Sequence, residues 1–272
     1  MTDSDTNKNL NIETMQSSFG GEVSFCPERG GIITSLKLVG KEILYFDTDT
    51  FKDVHTNVRG GIPILFPNAG VLESKEYSNL KQHGFARNSS AWKFQRHPKG
   101  FMETLIYNED SYKLFPHKFK LSLQGIFEDN GSFSLLQEIE NTEDNKNLPL
   151  SMGLHPYFKV LHTEKKNIKF NFEGGKHIEE KFTLWSNGTY ISIENPKIKN
   201  PGDKIEIVIP DLGTIVMDIS VEYQKIWIWA LPGKDFVCIE PVMRDVGGIV
   251  ADPYIVKPKD TFSLYMNLKI NQ

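Results

Sequence analysis

A chain of 272 residues with 39% hydrophobic and 24% charged residues has the composition of an ordinary folded protein, which excludes disordered, collagen-like and membrane-spanning classes. Its formal charge of -4 at pH 7, with lysines and arginines scattered along the chain, leaves no basic face for nucleic acid. Two cysteines far apart in sequence, Cys26 and Cys238, read as reduced thiols and cannot supply a thiolate metal cage, and a domain of this size needs neither disulfide nor metal to bury its core.

In chain order, residues 1–18 are polar and slightly acidic, without the basic start and apolar run of a secretory signal. They read as a flexible lead-in to one domain over 19–272, and the expected location is cytoplasmic. No run approaches the roughly 18 apolar residues of a membrane-spanning helix. Strand patterns, with period-two alternation or β-branched and aromatic runs, occupy Lys118–Phe127, Ser132–Glu140, Asn167–Phe172, Lys204–Ile209, Thr214–Val221, Lys225–Ala230, Phe236–Glu240 and Thr261–Ile270. No window of about 12 residues fits an amphipathic helix with a cap, which argues against alternating βαβ folds. The predicted fold is all-β: a single-domain antiparallel β-sandwich. The Asn-X-Ser/Thr triplets at Asn88, Asn130 and Asn187 have no secretory context and read as chance.

Dinucleotide, phosphate-loop, HExxH, GxSxG and CxxC signatures are all absent. His55, His97, His117, His162 and His177 sit among polar neighbours and read as solvated or structural. Four segments stand out. The first, Arg59-Gly60-Gly61-Ile62-Pro63, is either a plain sheet corner or a loop letting backbone approach a ligand closely. In Gln82-His83-Gly84-Phe85-Ala86-Arg87, an extended chain would turn His83 and Arg87 to one face, either to meet one bound group or to serve an ion pair. Only five arginines stand against 26 lysines, so Arg59 and Arg87 point to a role for the planar guanidinium fork, matched to phosphate, carboxylate or vicinal hydroxyls. In Gly153-Leu154-His155-Pro156-Tyr157-Phe158 and Val237-Cys238-Ile239-Glu240-Pro241, an apolar run ends against a proline and leaves His155 and Glu240 at a sheet rim. There they are either a general acid and base, or a hydrogen-bonded structural histidine and a glutamate paired to Arg244. Trp227 and Trp229 share a face, as a stacking platform or as core.

Taken together and in this order, RGGIP, QHGFAR, GLHPYF and VCIEP resemble the aldose 1-epimerase (galactose mutarotase) superfamily, and within it the hexose-6-phosphate mutarotase branch. The resemblance implies a β-sandwich with a cleft on one sheet, no cofactor and no metal, and interconversion of α and β anomers. It further implies that His155 is the catalytic acid, Glu240 the catalytic base and His83 a second active-site histidine, with Arg59 and Arg87 binding substrate or its phosphate. The expected partner is a small sugar or sugar phosphate, not nucleic acid or membrane, and the expected state is a monomer or weak dimer. The family's acidic residue between the catalytic histidine and glutamate has no aligned counterpart across Phe172 to Asp211. Two other classes are weighed: a non-catalytic carbohydrate-binding module using the tryptophans, and a glycoside hydrolase, which needs two placed carboxylates where one is seen.

Overall fold

The computed structural model describes residues 10–182 and 190–271. The larger sheet has eight antiparallel strands in the order Lys169–Phe170, Ile205–Ile209, Gly213–Ile219, Thr261–Asn271, Phe133–Asn141, Phe119–Phe127, Gly100–Ile106 and Lys93–His97. Alternation builds it: along Phe133–Asn141 the odd-numbered residues are buried and the even-numbered ones only partly so. The buried Gln137 in this strand accepts a hydrogen bond from the Tyr223 hydroxyl.

The second sheet runs Ile191–Glu194, Lys225–Trp229, Phe236–Val242, Gly153–Leu154 and Ile64–Leu65, and Tyr157–Lys159 also pairs with Phe236–Val242. Its two central strands divide their residues by parity. Ile226, Ile228, Val237 and Ile239 join Leu121, Leu135, Ile139, Met217 and Leu264 from the eight-stranded sheet in one apolar cluster. Burial of each such side chain contributes about 1.5–3 kcal/mol, so this shared layer ties the sheets together. Trp227, Trp229, Phe236, Cys238 and Glu240 take the opposite face, where smaller apolar clusters form. The architecture is the predicted antiparallel sandwich.

The lead-in reading needs correction. Residues 1–9 lie outside the described residues, but Glu13–Gln16 forms a strand on Glu22–Cys26, within a four-stranded sheet completed by Ile32–Leu38 and Lys41–Glu42. The strand expected over Asn167–Phe172 shrinks to Lys169–Phe170, because His162–Asn167 winds into 3₁₀ turns. Among the described residues the longest helix is Gly175–Phe182, and none is long and apolar enough to cross a membrane. Asn187 lies outside the described residues.

Candidate active site

The site grows from strand register. Trp227 lies opposite Glu240, and Trp229 opposite Cys238, whose other neighbour is Tyr157. The tryptophans therefore turn away from the inter-sheet core, which Ile226 and Ile228 fill. Trp227 packs with Leu65, Ala69 and Val242, and its Nε1 donates to Asp245 Oδ1 at 2.9 Å. His155 is brought in by backbone: its N–H donates to Pro63 O at 3.0 Å and Tyr157 N–H to Gly61 O at 3.0 Å, docking this segment on Arg59–Pro63. Gly61 has φ +66°, and a Cβ there would fall 2.1 Å from Ile33 O. Gly84 has φ +70°, and a Cβ there would fall 1.9 Å from Phe66 O. Any side chain at either position would push a site loop off the sheet.

These elements enclose a cleft of about 750 Å³ lined by His83, Arg59, Arg87, His155 and Glu240, the five residues singled out from sequence. His155 Nε2 stands 3.3 Å from Glu240 Oε1, with the two residues only 5% and 3% exposed. His155 Nδ1 and Glu240 Oε2 have no hydrogen-bond partner. Tyr157 stacks on the His155 ring at 4.6 Å and 12°, and His83 meets it edge-on at 5.4 Å and 83°. His83 Nδ1 accepts from Gly70 N–H at 3.0 Å, so a neutral ring carries its proton on Nε2. Glu240 does not pair with Arg244, whose Nε donates to Asp252 Oδ2 at 2.7 Å.

Electrostatics push the central groups toward neutrality. Burial, with a smaller contribution from Arg87, pulls His83 down to about 3. Burial, then His83 and Arg87, hold His155 well below the usual imidazole range. Burial lifts Glu240 well above the usual carboxylate range, and Arg87 opposes part of that rise. Both shifts favour a neutral imidazole beside a protonated carboxyl over an imidazolium–carboxylate ion pair, so the pair's one proton rests on Glu240 in the empty cleft.

The two arginines differ. Arg87 is buried, donating from Nη2 to Val58 O at 3.1 Å and bonding the Tyr157 side chain. The extended stretch expected there is instead a 3₁₀ turn at Ala86–Asn88, yet both His83 and Arg87 reach the cleft. Arg59 is exposed at the rim, and its guanidinium has no protein partner among the described residues. Glu240 is the only acid among the described residues lining the cleft. The missing acidic residue is not found there, and 183–189 within the searched interval lie outside the described residues.

Sequence reasoning passed over Arg29, which is 3% exposed. It donates to the carbonyls of Phe51 at 3.0 Å, Thr50 at 3.2 Å, Asp53 at 2.8 Å and Thr56 at 2.7 Å. It thereby fixes the loop whose Thr50, Thr56, Asn57 and Arg59 form one wall of the cleft. The scarcity of arginine that singled out Arg59 and Arg87 applied to it equally. Tyr190, tilted on Trp227 at 4.9 Å, was also missed. The ligand atoms of His155, Cys238 and Glu240 all lie within 4.8 Å of one another.

Residues 14–206 match the family model for aldose 1-epimerase. A Cenchrus ciliaris protein provisionally named glucose-6-phosphate 1-epimerase is 32% identical over 143 residues, covering 48% of this chain and 42% of that protein. A Salmonella typhimurium protein with the same provisional name is 29% identical over 159 residues, covering 56% and 49%. The chain thus spans about half the length of the curated relatives it matches. Among solved structures, the Slr1438 protein of Synechocystis sp. PCC 6803 superposes with a TM-score of 0.80 at 27% identity, covering 99% of this chain and 98% of that one. A galactose mutarotase related enzyme of Lactobacillus acidophilus gives 0.74 at 18% identity, covering 96% and 98%, a likeness of fold.

Proposed function

The chain belongs to the aldose 1-epimerase family, and on that premise we propose that it interconverts the α and β anomers of a hexose 6-phosphate by acid/base ring opening and reclosure. The observation that carries this reading is the buried contact between His155 Nε2 and Glu240 Oε1 at 3.3 Å, facing a cleft large enough for a sugar. Ring opening needs one proton delivered to the ring oxygen and one taken from the anomeric hydroxyl, and a pair holding one proton does both. Glu240 accepts the hydroxyl proton while His155 protonates the ring oxygen. The bond from the anomeric carbon to the ring oxygen breaks, the aldehyde rotates, and the ring closes with the roles reversed. For this the shared proton must sit on His155 as the sugar binds. A sugar hydroxyl donating to Glu240, and Arg87 beside it, favour the carboxylate. His83, neutral and protonated on Nε2, which lies 3.2 Å from the Gln82 side-chain amide, turns that proton to the anomeric oxygen when the sugar binds.

The phosphorylated substrate is favoured by the charge of the wall: two guanidiniums and one carboxyl line the cleft among the described residues. Arg59, exposed and without a protein partner, is free to take the phosphate, and Arg87 backs it from below. The tryptophans would also suit a binding module, but a module has no use for two buried, unpartnered acid/base atoms. One-dimensional exchange NMR on glucose 6-phosphate, glucose and galactose tests the reading. Catalysed exchange is expected, fastest for the phosphate, and rates equal to buffer on all three sugars would refute it.

A further inference from the structure

We propose that His155, Cys238 and Glu240 also form a binding site for a thiophilic divalent cation of the Zn²⁺ class, and that such a cation shuts the site off. Cys238 and Glu240 are two apart on one strand and so present their side chains to the same face, and His155 arrives from the segment docked across it. Each residue offers a donor within 4.8 Å of the other two. Tetrahedral zinc, with bonds of about 2.0–2.3 Å, sets its donors roughly 3.3–3.6 Å apart, so side-chain rotations of about 1 Å complete the set. His155 Nε2 and Glu240 Oε1 already stand 3.3 Å apart, and Glu240 Oε2 is buried with no partner, so a ligand satisfies a carboxylate the protein leaves half bare. The adjoining cleft leaves room for water as the fourth ligand.

The donor set also selects the ion. Thiolate, imidazole and carboxylate together suit zinc, cobalt and cadmium, whereas Mg²⁺ and Ca²⁺ require an oxygen shell the site lacks. Arg87 faces the cluster and works against any cation. A thiolate and a carboxylate bring two negative charges to offset the incoming dication. On binding, the Cys238 S–H bond breaks, its proton leaves to solvent and a sulfur–metal bond forms; the proton shared by His155 and Glu240 leaves likewise. Those are the lone pairs and the proton that ring opening uses, so the metal-bound protein cannot exchange anomers. The shut-off rests on the proposed anomerase activity, whereas the binding does not.

The test uses the whole chain with Co²⁺ and Zn²⁺ as probes. Co²⁺ is expected to give a thiolate-to-metal charge-transfer absorption that Zn²⁺ bleaches. The absorption should persist in Cys26→Ser and vanish in both Cys238→Ser and Cys238→Ala, of which either folded variant suffices. Zn²⁺ should slow anomer exchange reversibly, with EDTA restoring it and Mg²⁺ and Ca²⁺ having no effect. The Zn²⁺ sensitivity of Cys238→Ser is read against that variant's own metal-free exchange rate. Second-shell losses alone cost metal sites 10–100-fold, so removing this ligand should demand at least about 100-fold more Zn²⁺. Absence of the charge-transfer band, or undiminished Zn²⁺ inhibition in Cys238→Ser, overturns the proposal. A Cys238-dependent band in a protein that exchanges no anomers keeps the cation site and sinks the anomerase.

Discussion

Glu240 and Glu103 are both buried carboxyls with unpaired oxygens, one in each large sheet, and they differ in what surrounds them. Glu103 is 0% exposed in Gly100–Ile106, neither oxygen has a partner, and burial alone pushes it up to about 8. Glu240 is lifted by the same burial, but His155 is within 3.3 Å, Arg87 is close enough to oppose the rise, and a cleft opens in front of it. A displaced pKa therefore does not mark an active site. Convergence of a second proton carrier, a fixed charge and space for substrate turns a costly buried acid into a usable one.

The sharpest way to break this comparison is to neutralise each acid in turn. Glu240→Gln, or His155→Asn, should lower anomer exchange on glucose 6-phosphate by about 10²–10⁴-fold with the fold intact by circular dichroism, while Glu103→Gln runs at the parent rate. A Glu240→Gln rate near the parent's would erase the distinction. Because burial lowers His155 and raises Glu240, the singly protonated pair should persist over a wide range. The pH profile of exchange should be a bell with a broad plateau through neutrality, its limbs belonging to the pair. A limb near pH 6.5 would mean that His155 titrates as a free imidazole.

Next in size is stability. The folded-state value of Glu103, about 8, lies above its unfolded one, so the native state binds the proton more tightly. Stability should therefore fall as pH rises from roughly 4.5 to 8 and level off beyond. Glu103→Met removes that slope, and its advantage over the parent should grow across the window by on the order of 4 kcal/mol in denaturant titrations. An advantage independent of pH would mean the carboxyl finds a partner.

A smaller effect separates the arginines. Arg59→Ala should raise KM for hexose 6-phosphate about 10–100-fold, the value of a charged hydrogen bond, with KM for free glucose nearly unchanged. Equal effects on both sugars would remove Arg59 from phosphate recognition. Smallest, Trp227→Phe loses the bond to Asp245, about 1 kcal/mol, and should raise KM for both sugars roughly fivefold.

Most of the later strands were legible because period-two alternation survives where one face meets the core: Phe119–Phe127 and Phe133–Asn141 begin and end within a residue of expectation. Gly100–Ile106 was not, for a reason the comparison supplies. Glu103 faces in between the buried Phe101 and Leu105 while Ile106 is 55% exposed, so polar and apolar residues do not alternate by face along the strand. Its edge partner Lys93–His97 has no fully buried residue to announce it. Residue type and rim position single out the five site residues, but only the resemblance brings them to one site, since nothing in their spacing says that His155 and Glu240 meet. Arg29 shows the other limit: a guanidinium spent on four backbone carbonyls has no signature in its own neighbours.

The division of Phe236–Val242 into alternate faces has a consequence for how this chain can vary. Adding or deleting one residue in that strand would exchange odd for even, sending Ile239 to the cleft and the acid into oil, whereas many single replacements would leave the count undisturbed. The facing of Glu240 is therefore guarded by arithmetic: length changes there should come in pairs or not at all.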